Sequence, residues 1–255
     1  TAVLFAVSGI ATVLILPKEP SSAEQPNQLF DRSQVLDQLR PPAHAPEFSR
    51  VFAARTCMMA GVGLTGVFLW YLVRFWVYGK AVVLTSAPLT IPAGFLIAGM
   101  AVATLIGAAL ASWAAGPISE RIEEKNIPVA RVVAGACLLY AAGLALAWGL
   151  GVWSTGTARE NGMLLFALIS GFAFGVYDSL GLELVMDSLP DPRRAGHDLG
   201  IYALANSAGL ALAAIIGALL VNAFEHSFGY YLLFPSAIVM VLLAGIVTLT
   251  TKSAE

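Results

Sequence analysis

The stretch PLTIPAGFLIAGMAVATLIGAALASWAA, residues 88–115, decides the fold of this chain. It runs for 28 residues without one Asp, Glu, Lys or Arg. An apolar run of about 20 residues is long enough for an α-helix to cross the hydrocarbon core of a bilayer. The stretch therefore predicts a transmembrane helix.

Five more apolar stretches accompany it, and the chain as a whole is poor in charge. Only 12% of its residues are Asp, Glu, Lys or Arg, against about 25% in soluble domains. Because backbone polar groups inside lipid must pair with one another, these stretches predict helices. The predicted fold class is all-α, a polytopic transmembrane helix bundle. The further spans are predicted at 51–78, 128–150, 162–186, 199–224 and 230–250.

The first 50 residues differ from this bundle. Residues 1–16 are apolar but too short to cross the core at about 1.5 Å per residue, which predicts the end of a preceding transmembrane helix. Residues 17–50 begin PKEPSSAEQPNQ, a composition rich in Pro, Ser and charge that is typical of a linker. The bundle is then predicted over 51–250, followed by a tail over 251–255.

Lysine and arginine are distributed unevenly between alternate connections. Counted from the linker, one side of the predicted bundle holds 11 of the 14 basic residues, and the other side holds only Arg74, Lys80 and Arg159. Because cytoplasmic loops carry the excess of Lys and Arg, the linker, the 116–127 and 190–198 loops and the C-terminus are predicted to be cytoplasmic. The expected location is the plasma membrane.

The predicted 116–127 loop begins G-P-I-S-E-R-I-E-E-K, Gly116 to Lys125. It resembles the loop signature of the major facilitator superfamily, G-x-x-x-D-R-x-G-R-[RK], through Gly116, Glu120, Arg121 and Lys125. That superfamily carries a degraded copy of the signature in its second half, and here two glutamates replace the Gly and Arg of the pattern. The resemblance implies half of a major-facilitator-type fold, with two three-helix inverted repeats, in a secondary active transporter. It also implies a partner, the N-terminal six-helix half, missing from this chain.

A second resemblance lies in GVYDSLGLELVMDSLP, residues 175–190, and DLGIYALAN, residues 198–206. These stretches are similar to helices ten and eleven in the sucrose and glycoside–cation symporter branch of the superfamily. In that branch an acidic residue and L-P close helix ten, and a D-L-G-I-x-x-x-A-N run opens helix eleven. The resemblance implies a symporter that couples protons to a sugar-like or other small solute.

The span 162–186 carries acidic residues, which are costly inside a membrane and indicate function. Asp178 lies 12 residues before Pro190, which is about 18 Å at helical rise and near the bilayer midplane. Solute and ion sites of transporters lie near that midplane, so Asp178 is the first candidate for binding solute or a proton. Glu183 is a shallower candidate, with a structural pairing to basic residues as its alternative.

Three other residues complete the candidate binding site. Tyr177 and Asn206 lie at a depth comparable to that of Asp178, although a hydrogen bond between helices is the simpler role for Asn206. Tyr71 is a candidate for stacking on a sugar ring, with a place in an aromatic belt as its alternative. Arg55 and Arg74 are expected to mark the two membrane faces.

A separate cluster is predicted at the cytoplasmic end. Asp187 is expected to pair with Arg121, Arg193 or Arg194 and so to form a latch between helices. In this prediction the latch lies beside the loop signature.

The sequence offers no pattern typical of an enzyme. All three histidines lie in predicted loops, and neither H-E-x-x-H nor G-x-S-x-G occurs. We therefore predict no catalytic residue, metal or cofactor, and the lack of a Lys/Arg run predicts no nucleic-acid partner. The predicted partners are the lipid bilayer, a small-molecule solute and the N-terminal half. Two alternatives stay open, a non-transporting remnant and a sensor or channel-like protein on the same scaffold.

Overall fold

A computed structural model describes residues 46–78, 91–153, 157–189, 195–223 and 226–251 of the chain. These residues form long helices, and none of the described residues lies in a strand, which confirms the predicted all-α class. The helices are α1 (Pro46–Gly66), α2 (Ile91–Glu124), α3 (Val129–Trp153), α4 (Thr157–Asp187), α5 (Ala195–Ala223) and α6 (His226–Leu249).

Within the described residues, six helical segments are long and apolar enough to cross a membrane, as predicted. The first of them reaches this length because a helical turn, Leu69–Tyr71, and a π-helix, Leu72–Val77, continue α1. Helix α1 begins at Pro46, ahead of the predicted start at Val51. The predicted preceding helix at 1–16, and the linker up to residue 45, lie outside the described residues.

The direction of the helices follows from the contacts between them. Arg50 donates a hydrogen bond to the carbonyl oxygen of Thr250 at 3.1 Å, and Trp76 packs edge-on against Tyr231, so α1 and α6 run antiparallel. Helices α3 and α4 are also antiparallel, whereas α2 runs parallel to α4 and α1 parallel to α5. One end of the bundle therefore gathers the start of α1 and the ends of α2 and α4.

We call this the basic end, and the opposite end, which holds Trp76 and Tyr231, the aromatic end. Apart from Arg55, the described basic residues divide between the two ends as the charge count predicts. Which end faces the cytoplasm stays a prediction. The basic end holds Arg50, Arg121, Lys125 and Arg131, and the aromatic end holds Arg74 and Arg159.

Two helices leave most of their surface uncovered. In α2 and α5 only 22% of the most apolar segment is buried, against half or more in α1, α3 and α4. The side chains of Trp113 and Phe95 on α2 are 80% and 74% exposed. Apolar patches of this kind indicate contact with a membrane or with another protein.

The segment predicted as the 116–127 loop is largely helical, so that prediction is wrong. Helix α2 continues through Pro117 to Glu124. The helix persists because Ile118 and Ile122, one turn apart, pack against the core while the charged residues between and after them stay exposed.

Helix α2 ends in a defined cap. The N–H of Ile127 donates to the carbonyl oxygen of Ile122 at 3.0 Å, and the N–H of Asn126 donates to that of Glu123 at 3.2 Å. These two bonds form a Schellman motif, which requires a left-handed residue. Asn126 supplies it with a φ of 51°, since Asn tolerates that conformation better than most residues.

Candidate functional site

A buried arginine joins three helices inside the bundle. Arg55 of α1 is 7% exposed, and its Nη1 lies 2.7 Å from Oδ1 of Asp178 on α4. Its Nε donates a hydrogen bond to Oδ1 of Asn206 on α5 at 2.8 Å. The ion pair explains how two charges are tolerated in an apolar segment, where an isolated charge would be costly.

Aromatic rings surround the remaining faces of the guanidinium. The Cζ atom of Arg55 lies 5.7 Å from the ring centroid of Phe174, 5.6 Å from that of Tyr177 and 5.7 Å from that of Tyr202. A cation within about 6 Å of a ring centroid is attracted by the quadrupole of the ring. These rings and Asn206 therefore contact Arg55 in addition to Asp178.

The expectation that Arg55 marks a membrane face is wrong. Because α1 begins at Pro46, Arg55 lies nine residues into the helix, which is about 13 Å from its end. Asp178 lies nine residues before the end of α4 at Asp187. Both helix ends lie at the basic end of the bundle, so the two side chains meet at the same depth.

Asp178 also lines a partly open cavity of about 370 Å³. Binding pockets for small molecules measure roughly 300–1,000 Å³. The side chain of Asp178 is 55% exposed, whereas that of Arg55 is 8% exposed. The carboxylate of the pair thus faces the cavity, and the guanidinium faces the protein interior. The other polar lining residues are Thr104, Ser112, Tyr140, Ser170 and Ser179.

Close contact between α2 and α4 forms one wall of this cavity. A Cβ added at Gly171 would overlap the carbonyl oxygen of Thr104, and one added at Gly107 would overlap that of Leu168. Gly171 and Gly175 form a G-x-x-x-G pair on α4, the spacing that lets membrane helices approach closely. The spacing of this pair is visible in the sequence, but the contact that it makes with α2 was not predicted.

The structure places the other predicted binding residues in different surroundings. Tyr177 and Asn206 contact Arg55 and are not among the residues that line the cavity. Asn206 accepts the hydrogen bond between helices that was its alternative role. Glu183 is exposed and lies outside the cavity. Their part in binding stays a prediction.

The predicted latch is not formed as an ion pair between the described residues. Arg121 and Asp187 are both exposed, and no ion pair joins them in the described part of the chain. Arg193 and Arg194 lie outside the described residues, so pairing with either stays a prediction. Gly116, Glu120 and Lys125 of the signature are exposed on or next to the end of α2.

The aromatic end is held together by ring contacts. The rings of Tyr71 and Tyr230 stack with their centroids 6.1 Å apart, and Tyr71 is 46% exposed. Trp76 is only 4% exposed, with its ring centroid 4.1 Å from that of Tyr231 and 5.4 Å from that of Phe234. Tyr71 therefore fits an aromatic belt, while Trp76 belongs to the core.

A polar contact fixes the π-helix to the start of α4. Arg159 donates a hydrogen bond from Nη1 to the carbonyl oxygen of Trp76 at 3.1 Å. The Tyr78 hydroxyl interacts with Glu160, and burial together with this carboxylate raises the pKa of Tyr78 to about 12. Nothing in the sequence pattern predicted the π-helix, a form found at functional sites in other proteins.

Within the described ranges, His, Cys, Asp and Glu side chains do not gather as a metal site would require. In comparisons with known proteins, the family model described as Major Facilitator Superfamily matches residues 100–255. No curated protein and no solved structure matches the chain.

The matched region covers more than half of the chain. It includes α2 from residue 100 onward, with the loop signature, and all of α4, with Asp178. The superfamily consists of transporters, and its members lie in lipid bilayers. This multi-pass membrane protein belongs to the major facilitator superfamily.

Proposed function

We propose that this chain forms the C-terminal half of a secondary active transporter, and that the cavity beside Asp178 binds its solute. The observation that carries the proposal is the asymmetric ion pair. A carboxylate that is 55% exposed lines a cavity, while its arginine partner is buried behind it. A charge placed in this way is available to a ligand yet compensated when the cavity is empty.

The pair also supplies a link between binding and helix movement. Arg55 connects α1 to α4 through Asp178 and to α5 through Asn206. A solute or proton that takes the carboxylate weakens the contact between α1 and α4, while the contact to α5 remains. A ligand shifts a conformational equilibrium only through such a difference in contacts between two states.

The uncovered faces of α2 and α5 support a six-helix partner, the N-terminal half of the transporter. Both helices leave most of their apolar segment unburied, and exposed apolar patches mark interaction surfaces. We place the basic end in the cytoplasm of a plasma-membrane protein, following the excess of Lys and Arg. The sugar-like or other small solute and the proton coupling in this proposal come from the family resemblance.

Uptake by the full-length protein in liposomes tests this function. A panel of small solutes is offered with and without an inward proton gradient, and accumulation is measured. We expect Asp178→Asn to insert and fold but to lose gradient-driven accumulation. As a control, Glu123→Gln, which changes an exposed carboxylate at the end of α2, should keep it.

Two results would contradict the proposal. Wild-type accumulation in Asp178→Asn would remove the carboxylate from transport. Solute binding without any accumulation by the full-length protein would favour the sensor or remnant instead.

A further inference from the structure

The charge that faces the cavity is negative. Among the described residues that line it, Asp178 is the one with a charged side chain. Arg55 is not a lining residue, and its guanidinium is covered by Phe174, Tyr177 and Tyr202. A ligand in the cavity therefore meets the negative end of the ion pair.

Three of the five hydroxyl groups in the lining favour the same kind of ligand. Thr104 donates its hydroxyl hydrogen to the carbonyl oxygen of Met100 at 2.9 Å, and Ser179 donates to that of Gly175 at 2.9 Å. Ser170 donates in the same way to its own helix at 3.0 Å. Because a hydroxyl has one hydrogen and two acceptor lone pairs, these three side chains offer acceptors to a ligand while they keep these bonds.

We propose that the cavity selects small organic cations with N–H donors, such as protonated amines, over uncharged and anionic solutes. This inference rests on the proposed function, because it names the solute class of the same cavity. The ammonium group contacts the carboxylate of Asp178 and donates to the hydroxyl oxygens. Arg55 keeps Asn206 and its three rings when the carboxylate turns to the ligand.

The reactivity of a thiol introduced by Ser112→Cys tests the selectivity without knowledge of the natural solute. Ser112 is exposed and lines the cavity. The full-length protein carries Cys57→Ala and Cys137→Ala, which remove the two free cysteines of this chain, and any cysteine outside this chain is replaced as well. Positively and negatively charged methanethiosulfonates then react with the thiol, and their rate ratio is divided by that for a free thiol in solution.

We expect the normalised ratio to favour the cationic reagent by about tenfold, since clefts lined by one sign of charge concentrate counter-ions to that degree or more. Asp178→Asn should bring the ratio close to one. Glu123→Gln, an exposed carboxylate at the end of α2 and outside the cavity, should leave the ratio unchanged. Raising the salt concentration should lower the ratio in the protein that retains Asp178, which provides a test even if Asp178→Asn does not fold.

A normalised ratio near or below one in the protein with Asp178 would overturn the inference. So would an equal loss of the preference in Glu123→Gln. The outcome is separate from that of the uptake experiment. Accumulation of an uncharged or anionic solute, together with a ratio near one, would retain the transporter and reject the cation preference. A high ratio without accumulation of any solute would retain the cation preference and reject the transporter.

Discussion

Helix α1 and its continuation contact the rest of the bundle at two places, through charged groups at one and through apolar rings at the other. At Arg55 the contact is an ion pair and a hydrogen bond, each between one pair of atoms. At Trp76 it is ring packing against Tyr231 and Phe234. A charged contact fails when either partner is lost, because the other charge is left uncompensated. An apolar contact weakens in proportion to the surface removed, so the two regions should respond differently to mutation.

The largest effect is expected from removing the acid of the ion pair. Asp178→Ala leaves the buried guanidinium without a counter-charge and should lower the free energy of unfolding by about 3–5 kcal/mol. Arg55→Met should cost less, because the carboxylate left behind is 55% exposed and water can reach it. Thermal and denaturant unfolding of the purified protein in detergent measures both changes. A larger loss for Arg55→Met would contradict the orientation of the pair.

A smaller loss in the free energy of unfolding is expected from separating α2 and α4 beside the cavity. Gly171→Ala places a Cβ against the carbonyl oxygen of Thr104 and should cost about 1–3 kcal/mol through overpacking. Gly94→Ala makes the same chemical change on α2 where a Cβ meets open space, so it should be neutral or stabilising. The same unfolding measurement compares them, and equal losses would argue against the close contact.

A conservative change at the aromatic end should be tolerated better. Trp76→Phe keeps an apolar ring against Tyr231 and Phe234 and should cost about 1 kcal/mol. Trp70→Phe, at a side chain that is 42% exposed, should change stability little. A loss for Trp76→Phe as large as that for Asp178→Ala would remove the difference between the two regions.

The smallest expected effect is a loss of stability at alkaline pH, caused by Tyr78 at the aromatic end. Burial and the Glu160 carboxylate raise the pKa of Tyr78 to about 12. Since the proton is held more tightly in the folded protein, the contribution of Tyr78 is full below its unfolded pKa, near 10, and is lost as pH rises toward 12. Glu160→Gln should lower the pKa, as seen in a tyrosinate absorbance titration with Tyr78→Phe as the blank. An unchanged titration would rule out the Tyr78–Glu160 contact.

The sequence predicted the features that depend on local signals. Six spans follow from apolar runs, and the described residues contain six helical segments of spanning length. The partner of Asp178 could not be predicted, because the pairing joins residues far apart in the chain. Arg55 was placed at a membrane face because α1 was expected to begin at Val51 instead of Pro46. The helical course of 116–124 was missed because Gly116 and Pro117 are ordinarily signals of a turn.

The most direct test of the ion pair on which the proposed site depends is a double-mutant cycle between Arg55 and Asp178. Unfolding free energies are measured for Arg55→Met, Asp178→Ala and the double variant in detergent. If the two side chains interact, the double variant should be less destabilised than the sum of the single variants, by about 1–3 kcal/mol. Additive losses, with a coupling energy near zero, would contradict the ion pair and the solute site built on it.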